Sequence, residues 1–131
     1  MNNTLPKTER LKRTKLFDEL FANGNQVKKY PIRAVWVEAE LPEKDVPVQV
    51  AFSVPKRRFK HAVDRNRIKR QMREVYRTNK NELHTVLRNR QKQIALALLF
   101  TGKDGPEFVE LQEKIILVLT RLKKQYEAVD E

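Results

Sequence analysis

The sequence predicts a mixed α+β fold, an α/β sandwich in which a small, mostly antiparallel sheet is packed with helices. Three observations predict it. Residues 31–40 alternate their apolar side chains with the two-residue period of a strand. Residues 93–100 form a run that is apolar on both faces, as in a central strand covered on both sides. Residues 62–79 and 107–126 repeat apolar positions at three-to-four spacing, the period of an amphipathic helix.

The elements follow in order. Residues 1–13 read as an extended basic arm, because Pro6 opposes a helix there. Thr14 can cap a helix that runs to about Asn23 and stops at Gly24. Leu16, Phe17, Leu20 and Phe21 make its apolar face, although both phenylalanines could equally be core. Residues 25–29 read as a basic turn. In the strand that follows, Ile32, Ala34 and Trp36 point one way and Arg33, Val35 and Val37 the other. A turn containing Pro42 leads to a second strand over 46–54, and the two strands could pair as a hairpin. After Pro55 comes a basic loop, 56–61, and then the helix 62–79, free of Gly and Pro. Residues 81–89 are a short helix or an irregular link. The strand 93–100 and a turn over 102–106 precede a closing helix, with Phe108, Leu111, Ile115, Leu119 and Leu122 on its inner stripe. The acidic end, 127–131, is expected to fray. A chain of 131 residues fits one domain with a single modest core.

Charge narrows the partners. Lys and Arg total 28 against 17 Asp and Glu, a net +11. A compact chain so charged repels itself unless a polyanion screens it; nucleic acid is the common partner and an anionic membrane the alternative. Residues 51–80 hold eleven basic side chains against Asp64 and Glu74. Residues 1–29 hold seven against three, and the remainder is slightly acidic. One face built from the middle and the N-terminus is the economical reading. No stretch approaches the roughly 20 apolar residues of a membrane span, and the first thirteen residues lack the apolar core of a signal peptide. There is no cysteine, which excludes disulfides, thiolate nucleophiles and Cys-ligated zinc. A cytoplasmic location is the default expectation.

On a wheel centred on Ile68, the core stripe of the basic helix is Ile68, Met72, Val75 and Tyr76. Asn66, Lys69, Arg70, Arg73 and Arg77 fall on the opposite face, while Arg65 and Arg67 flank the stripe. Cations four residues apart repel by a few tenths of a kcal/mol per pair in an isolated helix, and Glu74 can pair with only one or two of them. Phosphates along an RNA backbone would offset that repulsion. Arginine suits bidentate phosphate contacts, and Asn66 offers both a donor and an acceptor.

The stretch Ala62-Val63-Asp64-Arg65-Asn66-Arg67-Ile68-Lys69-Arg70-Gln71-Met72-Arg73-Glu74 resembles the signature of the bacterial ribonuclease P protein family, an Arg-Asn-Arg core followed by hydrophobic-Lys-Arg and a further Arg. Upstream, Phe52-Ser53-Val54-Pro55-Lys56-Arg57 is similar to the family's strand ending in Ser-Val and a basic pair. Arg10-Leu11-Lys12-Arg13, followed by Phe17 and Phe21, is similar to its first helix and lead-in. The resemblance implies a left-handed βαβ crossover. It also implies a protein that is inert alone and works 1:1, as a monomer, with a catalytic RNA. That RNA, with Mg²⁺ bound mainly to itself, removes the 5′ leader of precursor tRNA. Mapped onto this chain, Arg65, Asn66, Arg67, Lys69, Arg70 and Arg73 would contact the catalytic RNA, with Lys56, Arg57, Lys12 and Arg13 beside them. Phe17, Phe21 and a strand residue would line a leader-binding cleft; Trp36 is the candidate, and Val35 aligns about as well. Aromatic faces suit a leader of variable sequence, since every base can stack. Two departures stand out: Phe59-Lys60 where many members carry Gly, and an acidic tail.

Other chemistry is thinly supported. His61 and His84 lack metal or triad spacing and read as surface or loop residues. Ser53 lacks the glycines of a nucleophile elbow. Glu38, Glu40, Glu43 and Asp45 gather near a turn, at best a weak cation site. An RNA-scaffolding protein also fits the charge. An autonomous nuclease or a DNA-binding module fits the motifs less well.

Overall fold

A computed structural model describes residues 5–12 and 14–127, with only the backbone at Thr14. The elements are α1 (Thr14–Asn23), β1 (Asn25–Lys29), β2 (Ile32–Glu38), β3 (Val48–Ser53), α2 (Ala62–Asn79), α3 (Asn81–Asn89), β4 (Ile94–Phe100) and α4 (Phe108–Glu127). The strands form one open mixed sheet in the order β1-β2-β4-β3. β1 and β2, and β2 and β4, pair antiparallel; β3 and β4 pair parallel through the α2–α3 crossover. The mixed α+β architecture is the one expected.

β4, Ile-Ala-Leu-Ala-Leu-Leu-Phe, has no polar side chain and takes the interior position. Its Ile94, Leu96, Leu98 and Phe100 enter the main core with Ile32, Ala34, Trp36, Val48 and Val50, beneath α2, α3 and α4. Ala95 and Ala97 face the other way, into a smaller core with Val35, Leu11, Leu16 and Leu20. α1 covers β2 and β4 on this second face. Full burial of each Leu or Ile contributes roughly 1.5–3 kcal/mol. The small alanines on the α1 side let that helix lie close to the sheet.

Interior placement of β4 overturns the expected hairpin between the second and third strands. β2 and β3 are separated by β4, and their connection over 39–47 must span it. Gln93, just before β4, fastens that connection. Its side-chain amide donates to the Glu43 and Val46 carbonyls, both at 2.8 Å, and its Oε1 accepts from the Leu41 amide at 3.1 Å. The expected basic turn at 25–29 is instead strand β1. Alternation explains it: Val27 is buried while its neighbours in the strand are not, and the strand is in register from Asn25 opposite Trp36 to Lys29 opposite Ile32.

Of the expected arm over 1–13, residues 1–4 and 13 lie outside the described residues, and residues 5–12 are not free. Residues 7–9 form a 3-10 turn, Leu5 is buried, and the Leu11 amide donates to the Val50 carbonyl at 3.0 Å. Gln49 donates to the Thr8 carbonyl at 3.0 Å, and Lys80 pairs with Glu9 at 2.5 Å with both side chains largely buried. The segment covers part of the outer edge of β3, which would otherwise present unpaired backbone groups. In α4, Phe108 is exposed and does not share the inner stripe; Leu111, Ile115, Val118, Leu119, Leu122 and Tyr126 do.

His84 is a buried residue of α3, not a surface or loop one. The Tyr76 hydroxyl lies 3.0 Å from His84 Nε2. Burial, with Lys80 and Arg88 nearby, lowers the His84 pKa to about 3, and burial raises that of Tyr76 well above its ordinary value. A neutral imidazole and a protonated phenol therefore share this hydrogen bond. Between its ordinary value of 6.5 and about 3, protons bind the unfolded chain in preference. The stability that His84 contributes is thus complete above pH 6.5 and is lost as pH falls. Urea titrations should show the chain up to about 2 kcal/mol less stable at pH 5 than at pH 7 from this group alone. H84Q should be less stable at pH 7 and lack that part of the pH dependence; identical pH profiles for the two proteins would refute the assignment.

Candidate nucleic-acid interface

α2 buries the stripe expected of it, Ile68, Met72, Val75 and Tyr76. Asn66, Arg67 and Arg70 are exposed on its outer side, and Lys69, Arg73 and Arg77 are half-buried along its flanks. Intrahelical acids engage two of these cations: Arg77 meets Glu74 at 2.7 Å, and Arg67 approaches Asp64 at 3.7 Å. Lys69 and Arg70 have no ion-pair or hydrogen-bond partner among the described residues, and neither have Lys56 and Arg57 in the exposed turn after β3. Arg73 lies over the Phe52 ring, 5.9 Å from its centre, and that ring meets Tyr76 edge-on at 6.0 Å. The guanidinium is thereby held at the rim of a recess of about 380 Å³ between the N-terminal segment, β3 and α2, which Lys69 also lines.

Arg65 has a different duty. Its guanidinium donates to the Phe59 carbonyl at 2.7 Å and the Lys60 carbonyl at 3.0 Å. It clasps the loop in which this chain carries Phe59-Lys60, while the Phe59 ring packs on Phe100 at 5.8 Å. Arg58 closes the same loop by donating to the Thr101 carbonyl at 3.0 Å. The loop's cations are therefore held on a fixed backbone. Lys12 is exposed, and Arg13 lies outside the described residues.

On the α1 face, the end of the helix stands close to the sheet. The Gly24 amide donates to the Leu20 carbonyl at 2.9 Å. A Cβ at Gly24 would lie 2.3 Å from that carbonyl oxygen and 2.6 Å from a Val35 methyl, so only glycine fits. Phe17 is half-buried against the smaller core, and Phe21 is 57% exposed. Phe21 lines a recess of about 300 Å³ with Arg33, Ser53, Pro55, Arg57, Arg58, Leu99, Phe100 and Thr101. Among the described residues, no carboxylate lines it. Its aromatic edge and apolar floor can take a base, and its three guanidinium groups can take phosphates.

Trp36 does not belong to this face. It is 3% exposed in the main core, on the opposite side of β2 from α1. In the same core, the Tyr126 hydroxyl donates to Glu38 at 3.2 Å. Burial, first, and Glu38 push the Tyr126 pKa up to about 12. Val35 does stand on the α1 face but is buried, so Arg33 and Leu99, paired across β2 and β4, supply the open surface. Arg33 was legible in principle, because alternation puts it on the side of Val35. The contributions of Arg58 and Leu99 depend on which strands become neighbours, which local pattern does not reveal.

Among the described residues, no group of three or more His, Asp or Glu side chains is placed to hold a metal ion. An outward cationic helix beside a recess of aromatic and guanidinium groups defines an RNA-binding protein. The comparisons make this specific. A family model for ribonuclease P matches residues 5–123. The ribonuclease P protein component of Porphyromonas gingivalis is 33% identical over 118 residues, 90% of this chain and 85% of the relative. That of Chlorobium phaeobacteroides is 33% identical over 122 residues, 86% and 84% of the two chains. Among solved structures, the RNase P protein of Staphylococcus aureus superposes with a TM-score of 0.68 at 20% identity, covering 89% of this chain and 97% of that one. The Thermotoga maritima RNase P protein gives 0.68 at 20% identity, covering 86% and 96%. The chain belongs to the ribonuclease P protein family.

The two kinds of arginine on α2 should separate by measurement. R67A/R70A should unfold in urea within about 0.5 kcal/mol of the parent, since both side chains are exposed. R65A should lose about 1 kcal/mol, because two loop carbonyls lose their donor. Equal losses in both variants would contradict the division of duties.

Proposed function

We propose that this protein is the non-catalytic subunit of a ribonuclease P. It binds the catalytic RNA through the outer face of α2 and the 56–58 turn, and the single-stranded 5′ leader of precursor tRNA through the recess under Phe21. The observation that carries this reading is the pair Lys69 and Arg70, together with Lys56 and Arg57, which find no acidic partner among the described residues. Unpaired cations of one sign raise the energy of the free protein, and phosphates lower it again with release of counterions. The recess offers stacking and phosphate contacts without a pattern of base-edge donors and acceptors, which fits a leader of variable sequence.

The holoenzyme is the endoribonuclease that releases the leader and leaves the mature tRNA 5′ end; in this reading the protein positions RNA and holds no reacting group. The Mg²⁺ that the family resemblance implies is assigned to the RNA in this reading. The partner set is one catalytic RNA, one copy of this chain and the precursor tRNA, in the cytoplasm, with no role for DNA or membrane.

Cleavage of precursor tRNA at low Mg²⁺ tests the assignment. Catalytic RNA alone should be slow, protein alone inert, and the mixture fast. If folded protein fails to speed a catalytic RNA from the same source, the assignment is wrong. R67A/R70A should weaken binding to the catalytic RNA and reduce the slope of log affinity against log salt by about 0.7–0.9 per lost phosphate contact. An unchanged slope would remove the α2 face from the interface.

A further inference from the structure

The recess under Phe21 has a neighbour. Arg33 and Thr101 also line a second recess of about 280 Å³, whose other walls are Lys28, Tyr30 and Ile32. Tyr30 sits in the turn between β1 and β2 and is 63% exposed, the most exposed aromatic side chain among the described residues. Its hydroxyl has no hydrogen-bond partner there, and its ring joins neither core. Lys28 stands opposite Arg33 in the β1–β2 ladder, so strand alternation places both on the α1 face. Arg33 is oriented by donating to Gln26 Oε1 at 2.9 Å. Among the described residues, no carboxylate lines either recess. The two hollows therefore adjoin, sharing Arg33 and Thr101 as walls, with an exposed ring lining each.

Resting on the leader-binding reading above, we infer that the leader continues from Phe21 across Arg33 to Tyr30. A second base stacks on the Tyr30 ring, and Arg33 and Lys28 hold the phosphates between. The charge fits only an anionic strand, and an exposed phenol flanked by cations suits a base without regard to its identity. Tyr30 thus becomes a leader-binding residue that extends the path around the end of the sheet, and it determines how much leader the protein senses.

The test is the affinity of the holoenzyme for precursor tRNAs with leaders lengthened one nucleotide at a time from none. For the parent, affinity should rise with each nucleotide until both rings are covered. For Y30A the rise should stop earlier, leaving long-leader substrates about 5- to 150-fold weaker and leaderless tRNA unchanged. Y30F should follow the parent. K28E, which keeps the ring, should also weaken only the longer leaders. If Y30A and K28E follow the parent at every length while F21A does not, the leader's path ends at Arg33 and this inference fails alone. If F21A also follows the parent, the leader-binding reading itself fails. A loss in Y30A that is equal at all lengths, including none, would place Tyr30 against the catalytic RNA and overturn the inference.

Discussion

The structure depends on the burial of β4. Seven apolar residues in succession favour an interior place over an edge, and all of them but Leu99 are buried, with β4 flanked by two strands and packed on both faces. The rest follows from meeting that demand in a short chain. β2 takes one flank and β3 the other, which forces the 39–47 connection to span a strand and gives Gln93 its role as fastener. The parallel β3–β4 pairing needs a crossover, and α2 with α3 is that crossover. The functional helix is therefore also the element that lets β4 sit in the interior.

Coverage of the two faces is unequal, and the inequality creates the interface. α2, α3 and α4 cover the main core, whereas among the described residues the ten-residue α1 is the one helix on the other face. A helix of ten residues is about 15 Å long and cannot cover four strands. The strip holding Arg33, Leu99 and Ser53 remains accessible beyond its end, and Phe21 overhangs it. Placing cations there rather than more apolar residues avoids an exposed sticky patch while leaving a surface that an anionic strand can fill.

Much of this was legible in the sequence, for reasons tied to particular residues. The bounds and core stripe of α2 were, because eighteen residues of strong periodicity overdetermine a helix. The interior position of β4 was, because its composition favours it over an edge. β1 was missed because its five residues contain one buried side chain, Val27, and its partners lie beyond the turn at Tyr30 and Pro31. The expected hairpin failed for the complementary reason: nearness in sequence favoured β2 with β3, and the stronger demand of β4 came from residues fifty positions later. Trp36 was placed by residue type in a cleft, although its own alternation with Ile32 and Ala34 already assigned it to the helix-covered face. His84 reads as polar in isolation and becomes core only because Tyr76, eight residues earlier, offers it a hydroxyl.

The cations divide into those that build the surface and those that the surface presents. Arg65, Arg58 and Lys80 spend their donors on loop carbonyls, Thr101 and Glu9, fixing the 56–61 loop and the N-terminal segment before any partner arrives. Among the described residues, Lys56, Arg57, Lys69 and Arg70 have no ion-pair or hydrogen-bond partner on that fixed frame. Beneath α2, the Tyr76–His84 hydrogen bond ties the helix to α3 without introducing a charge into the core. A neutral imidazole matters here: a buried cation would add to the repulsion already present along the helix. The conformational cost of ordering this cationic surface is thus met during folding, so under the proposed function the energy of phosphate pairing would go into affinity and its salt dependence.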